Sequence, residues 1–445
     1  MDVVRVLLIS TYELGRQPFG LASPAAWLRA AGHEVTLADL SRGPMPWPEV
    51  ERAGLIAFFL PMHTATRLAL RALDRVRVAN PRARLCAYGL YAPLNEDLLR
   101  RSGVSAVIGG EFEQPLVDLA AGAADPARPT ATVSLARQRF LVPDRAGLPP
   151  PSAYAQLTLV GSTRPAGYTE ASRGCKHLCR HCPVVPVYGG VFRVVERDVV
   201  LEDIRRQVEA GARHITFGDP DFFNGPGHAI PLVEALHREW PEIGYDVIIK
   251  IEHLLKHRDL LPVLRRTGCV FVTSAVESFD DAVLERLAKG HTRADFIEAL
   301  ALMHAAGLPL APTFIPFTPW TTLAGYRAFL REIAELGLAG QVAPIQLAIR
   351  LLIPEGSLLL NLPEVRAQVT PYDARALCYP WSSADPALDD LACRIQETIR
   401  REERRGAGRL EIFHQIWDLA EAGPWADPPL PARATIPYLT EPWYC

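Results

Sequence analysis

Short apolar runs alternate with amphipathic stretches along most of the chain. Residues 4–9, 34–37, 55–60, 83–88 and 106–108 read as strands, while 24–31 and 66–78 carry apolar side chains at helical spacing. Strands separated by helices predict βαβ units and an open parallel sheet over residues 1–125, a Rossmann-type unit. Ligands of such sheets lie at the carboxyl ends of the strands. No G-x-G-x-x-G follows the first strand, which argues against a nicotinamide dinucleotide. Residues 126–165 are rich in proline, alanine and arginine and read as a linker with one short strand at 139–142.

The alternation resumes over 166–355. Strands are expected at 168–172, 214–218, 246–251, 270–276, 310–315 and 345–349, with helices at 201–210, 228–238, 260–266, 281–288, 294–306 and 323–336. Six βα repeats predict a partial (β/α)6 barrel, shorter than a full eightfold one of roughly 250 residues. Residues 356–445 form a helical C-terminal extension, with helices at 386–404 and 410–422 and a proline-rich tail. The fold class is therefore α/β.

The chain has 445 residues, 49% hydrophobic and 22% charged, enough for two or three buried cores. That balance excludes a disordered, collagen-like or small disulfide-stapled protein. Forty-seven Lys and Arg against 50 Asp and Glu leave a net charge of −3, so no bulk positive field recruits nucleic acid. Apolar runs such as 55–61 fall far below the roughly 20 residues of a membrane span. The first ten residues carry no signal-peptide pattern, and the cytosol is the expected compartment.

Three of the eight cysteines fall within eight residues, in Ser172-Arg173-Gly174-Cys175-Lys176-His177-Leu178-Cys179-Arg180-His181-Cys182-Pro183. The spacing C-x3-C-x2-C directly follows the first strand expected of the barrel. Three thiolates on one tight loop can ligate three irons of a [4Fe–4S] cluster and leave the fourth open to a chelating ligand. Lys176, Arg173 and Arg180 are expected to offset the thiolate charge. The alternative is structural zinc completed by His177, His181 or a remote cysteine, but zinc loops bring two ligand pairs and no second C-x2-C occurs. Cys86, Cys269, Cys378 and Cys393 read as small buried hydrophobes.

The cysteine motif resembles that of the radical SAM superfamily, over about 166–355. The resemblance implies that Cys175, Cys179 and Cys182 hold the cluster and that its open iron binds S-adenosylmethionine (SAM). The cluster then cleaves SAM reductively to modify a small-molecule substrate, drawing electrons from a reductant such as flavodoxin or ferredoxin. Segment 214–221 resembles the second-strand SAM-binding region, pointing to Gly218 and Asp219 in place of the usual Gly-Gly-Glu. Segment 270–278 resembles the fourth-strand "GxES" region, pointing to Ser274 and Glu277, with Ala275 where the family has glycine.

The first sheet resembles the cobalamin-binding domain of many such proteins, through Ala31-Gly32-His33-Glu34-Val35 and Gly109-Gly110-Glu111-Phe112-Glu113. No Asp-x-His-x-x-Gly is present to supply a lower cobalt ligand, so cobalamin and a merely cavity-shaping sheet both stand open. The tail Thr440-Glu441-Pro442-Trp443-Tyr444-Cys445 resembles the CUAEP/CCAEP-tail radical SAM proteins, which continue with selenocysteine or cysteine, then Ala-Glu-Pro. That resemblance implies a catalytic role for Cys445 and an in-frame UGA after it. It also brings in transfer of the 3-amino-3-carboxypropyl group of SAM to trivalent arsenic, as in arsinothricin formation. Cobalamin-dependent radical methyl transfer and a zinc-stabilised scaffold are the other readings.

Overall fold

The computed structural model describes residues 3–122, 132–159, 161–424 and 438–439. A first sheet contains β1 (Arg5–Ser10), β2 (Glu34–Asp39), β3 (Leu55–Phe59), β4 (Arg84–Tyr88), β5 (Ala106–Gly110) and β6 (Val133–Ser134). Their order is β2-β1-β3-β4-β5-β6, and every pairing is parallel. Because side chains alternate along a strand, each apolar run feeds two cores. Leu7, Ile9, Ile56, Phe58, Leu85 and Val107 pack on one face beneath Ala69, Leu73 and Val76 of the helix His63–Ala79. Val6, Leu8, Leu55, Ala57, Tyr88 and Ile108 pack on the other, beneath the helices Phe19–Ala30 and Glu113–Ala120. This is the Rossmann-like sheet expected from the sequence.

A second sheet curls into a partial barrel. It is built from β7 (Gln156–Leu159), β8 (Ser162–Thr169), β11 (His214–Phe217), β12 (Gly244–Ile248), β13 (Cys269–Glu277), β14 (Leu310–Phe314) and β15 (Tyr438–Leu439), while β9 (Ser172–Gly174) and β10 (Phe192–Val194) stand apart from it. The order is β14-β13-β12-β11-β8-β7-β15, parallel from β8 to β14 and antiparallel at β7 and β15. The sixth strand expected at 345–349 is a 3-10 turn, Pro344–Leu347, followed by a single parallel bridge between Phe317 and Arg350. Pro344 lacks an N–H for a ladder. Gln346 instead turns its side-chain amide to the sheet edge, where its Oε1 accepts the Phe314 N–H at 3.0 Å.

The first barrel strand also differs from expectation. Residues 156–165, read as linker, form β7 and the first half of β8, and 139–142 form no strand. Phe140 is instead buried in the barrel core, and Arg145 is bonded through two nitrogens to buried Asp203 at 2.9 Å. Ser172–Gly174 forms β9, paired antiparallel with β10 (Phe192–Val194) in a two-stranded ribbon. The cysteine loop is thus the connection of a hairpin.

Helices Pro386–Arg405 and Arg409–Leu419 close the barrel core with Leu391, Ile395, Ile399, Phe413 and Ile416. Cys86 and Cys269 are buried as expected, but Cys393 is exposed and Cys378 half-buried. Cys393 lies on the solvent face of a helix whose other face carries Leu388, Leu391, Ala392 and Ile395.

The two sheets meet at Arg173 on β9. Its buried guanidinium bonds Glu113 at 2.7 and 3.0 Å, Glu170 at 2.8 Å and Glu111 at 3.3 Å, and stacks over Phe112. Burial pushes Glu111 and Glu170 above the usual carboxylate range. At Glu113 burial acts the same way but is outweighed by Arg173, which holds the carboxyl below that range. Glu113 is further bonded by Ser23 and Gln138. Arg173→Met is expected to strand this charge in the interior, costing on the order of 3–5 kcal/mol. Urea unfolding of the apo-protein should show that loss, whereas Arg205→Ala, at an exposed pair, should leave the midpoint unchanged.

Candidate functional site: the cysteine loop at the barrel mouth

The loop leaves β9 at Gly174, whose φ of +71° suits glycine and whose added Cβ would sit 2.3 Å from the Val191 carbonyl oxygen. Cys175 follows at once. Asn224 holds it, accepting the Lys176 N–H at 3.2 Å through its side chain and the Lys176 ammonium at 2.6 Å through its carbonyl. Cys179 and Cys182 are joined by a backbone bond of 3.1 Å from the Cys182 N–H to the Cys179 carbonyl. Arg180 clamps the far side. Its N–H bonds the Leu287 carbonyl and its guanidinium the carbonyls of Glu285 and Arg286, capping the helix Asp281–Leu287.

Burial pushes the Cys182 thiol up to about 12 and raises Cys175 as well, with each neighbouring cysteine adding to the effect at Cys182. A metal that takes these thiols as thiolates displaces their protons, so assembly here releases protons. The expected compensating cations are engaged elsewhere: Arg173 by carboxylates, Arg180 by carbonyls and Lys176 by Asn224. Lys289 faces the thiols instead. It is 4% exposed, and although burial acts to lower its pKa, Glu277, Cys179 and Cys182 together raise it. Lys289 was legible only as part of Leu287-Ala288-Lys289-Gly290-His291-Thr292, since nothing in the spacing marks which residue turns inward.

Glu277 ends β13 at φ +69°, in the left-handed region, beside a register shift between Ala275 and Glu277. The bulge re-aims the side chain toward the loop. Its Oε1 lies 3.1 Å from His181 Nε2 and 3.3 Å from Lys289 Nζ. Burial alone would raise its pKa, but Lys289 and His181 outweigh that and hold it at about 2. Glu277 thus ties strand, loop and cation together.

The other sequence-predicted residues fall nearby. Gly218 follows β11, and an added Cβ would lie 1.8 Å from the Tyr168 hydroxyl, so no larger residue fits. Asp219 accepts the Ala171 N–H at 3.0 Å and the Ser172 hydroxyl, bracing the segment that enters the cysteine loop. Burial pushes its carboxyl up to about 7. Ser274 is fully buried on β13 and its hydroxyl has no partner, an orphaned polar atom that a ligand can satisfy. Cys445 lies outside the described residues, as do the other tail residues 440–444.

The spacing of the thiols bears on what they hold. A single tetrahedral zinc with bonds of about 2.3 Å keeps its thiolates roughly 3.8 Å apart. Among the described residues the three cysteine sulfurs form no group mutually within 4.8 Å. They still share one electrostatic neighbourhood, which fits a multi-iron cluster better than one ion. No helix in the described residues is long and apolar enough to cross a membrane.

The acid dependence of Glu277 can be checked. With a folded pKa near 2, its pairing stabilises the protein above the ordinary carboxylate pKa of about 4.3, and the gain fades as pH falls from there toward 2. Urea unfolding of the apo-protein at pH 7, 4.5 and 3 should show wild type losing more stability than Glu277→Gln across the lower interval. The full difference is on the order of 3 kcal/mol.

Comparison with known proteins accords with this geometry. The Radical SAM superfamily description matches residues 169–326. Hopanoid C-3 methylase of Methylococcus capsulatus is 26% identical over 167 residues, covering 38% of this chain and 32% of its own. A tRNA-2-methylthio-N(6)-dimethylallyladenosine synthase of Sorangium cellulosum is 27% identical over 277 residues, covering 55% and 53%. The chain therefore spans a third to a half of these relatives' lengths. Among solved structures, the cobalamin-dependent radical SAM enzyme OxsB with aqua-cobalamin superposes with a TM-score of 0.66 at 15% identity, over 90% of this chain and 67% of that one. The methyltransferase TsrM from Kitasatospora setae gives 0.63 at 16%, over 83% and 80%. This chain carries a radical SAM domain, on a fold it shares with cobalamin-dependent radical SAM enzymes.

Proposed function

We propose that the protein is a radical SAM enzyme, with Cys175, Cys179 and Cys182 holding a [4Fe–4S] cluster at the mouth of the barrel. The observation that carries this is the loop itself: three thiols in C-x3-C-x2-C spacing on one hairpin connection, with one buried ammonium against them. The cluster supplies the electron that breaks a carbon–sulfur bond of SAM, and a small-molecule substrate is modified in consequence.

This chain's residues prepare that step. Lys289 offsets thiolate charge inside a low-dielectric pocket, and Glu277 with His181 keeps the second half of the loop against β13. Gly218 follows β11, where the Tyr168 hydroxyl packs against its Cα, and the orphaned Ser274 hydroxyl offers a polar contact for SAM. Asp219 acts one step back, by fixing Ala171 and Ser172. A small substrate and an external reductant are the partners this chemistry requires.

The fold shared with OxsB and TsrM supports the first sheet as a cobalamin platform, at the carboxyl ends of β1, β3, β4 and β5. Of the two histidines in residues 3–122, only His63 lies at that edge, and its Nε2 is 2.6 Å from the Ala376 carbonyl oxygen. That nitrogen is therefore engaged within the protein. Reconstitution with aquacobalamin should leave the corrinoid absorbance on the protein through gel filtration; its complete removal would confine the sheet to a structural role.

The enzyme reading is tested by anaerobic reconstitution with iron and sulfide, dithionite reduction and mass analysis of SAM products. Wild type should turn brown and release 5′-deoxyadenosine or methylthioadenosine, according to the bond broken, and Cys182→Ala should release neither. A colourless zinc protein that leaves SAM intact, or cleavage retained in Cys182→Ala, would overturn it.

A further inference from the structure

We propose that His177, Asp221 and His253 form a second metal site, for one divalent transition-metal ion, on the flank of the cysteine loop. Asp221 Oδ2 lies 2.6 Å from His253 Nδ1 and 3.5 Å from His177 Nε2, and the imidazole centroids are 4.7 Å apart. Among the described residues these three atoms are the one set of potential ligands gathered within 4.8 Å.

All three are buried, yet none makes a hydrogen bond of acceptable geometry. The nitrogens stand beside the oxygen without aiming an N–H along its lone pairs, and an ion held between them would take the place of those contacts. The other carboxylate oxygen is already held, accepting the Phe223 N–H at 3.2 Å, so Asp221 is fixed in place with one oxygen to offer.

The donor set defines the ion. Two imidazoles and one carboxylate suit iron(II), cobalt, nickel or zinc rather than magnesium or calcium, and leave further positions to water. The surroundings supply the outer contacts such a site needs. Glu252 Oε2 lies 3.7 Å from His177 Nδ1 and accepts Lys250 at 3.0 Å. At that distance Glu252 makes no hydrogen bond to the ring, and its carboxylate instead offsets the Lys250 charge beside it. Lys250 Nζ also stands 3.0 Å from His177 Nδ1, and the His257 ring is 5.7 Å from that of His253. The Lys250 ammonium donates to both Glu252 and His177 Nδ1, which leaves Nε2 facing Asp221, where a metal ion would displace its proton.

The position gives the ion a role. His177 sits between Cys175 and Cys179, Asp221 follows β11, and His253 lies in the helix Ile251–Lys256 after β12. One ion would pin the loop that carries the thiols to two neighbouring barrel strands. The thiols take no part in it, so the two sites load separately.

Tag-free protein, reconstituted anaerobically with iron and sulfide, is dialysed against nickel(II), desalted and analysed for both metals. Wild type should retain one nickel per chain beside its four irons. Asp221→Asn and His253→Gln should keep their iron and bind nickel at least tenfold more weakly. Glu252→Gln, at a half-exposed residue that threatens folding less, removes the counter-charge of Lys250 beside His177 and should weaken nickel severalfold. Wild type that retains no nickel, or variants that hold it as tightly as wild type, would overturn the site. Iron content reads the cluster independently, so loss of one site is not mistaken for loss of the other.

Discussion

The guanidinium of Arg173 is where the two halves of this molecule are joined, two residues before the first cysteine of the loop. Glu111 and Glu113 come from the carboxyl end of the first sheet, Glu170 and Arg173 from the first strand region of the barrel. A charge buried among carboxylates is tolerated only while every partner stays in place, because any one left alone is a buried unpaired ion. The cluster loop therefore leaves a strand whose position is dictated from the neighbouring sheet. A ligand on that first sheet would lie against the same strand ends that deliver Glu111 and Glu113.

From β9 onward the loop is held at several points by different kinds of force. Gly174 turns it where a side chain cannot fit, Asn224 grips its first half, and Arg180 seals its second half onto a helix end. Glu277 completes the set through a β-bulge and an unfavourable backbone conformation, a strain kept only where surrounding contacts over-determine it. The outcome is that Cys179 and Cys182 face one buried ammonium, Lys289. That is a place for a metal–sulfur centre rather than for free cysteines.

Much of this was legible in the sequence, because the informative features are local. The apolar runs of the first sheet are short and regular, so β1 to β5 and the helices Phe19–Ala30 and His63–Ala79 could be placed from pattern, whereas the helix Glu113–Ala120 and β6, within the stretch read as linker, were not. Cys175, Cys179 and Cys182 lie within one loop, and their spacing carries its own chemistry. What the sequence left hidden depends on distant partners. The strand expected at 345–349 is a turn because Gln346 replaces a ladder bond with its side chain. Residues 156–165 looked like linker but pair as a hairpin. Arg173 and Arg180 were expected to serve the thiolates, but partners far along the chain claim them, and Lys289 takes that place. Likewise His177, Asp221 and His253 are dispersed in sequence and meet only through the barrel.

The central claim is that the three-thiol loop holds a four-iron cluster with one iron left open. Mössbauer spectroscopy of protein reconstituted with 57Fe, before and after SAM, tests it most directly. The account predicts four irons per chain in a [4Fe–4S]2+ spectrum, with one site alone shifting when SAM is added. Four irons unmoved by SAM, or a protein that takes zinc and no iron, would contradict it.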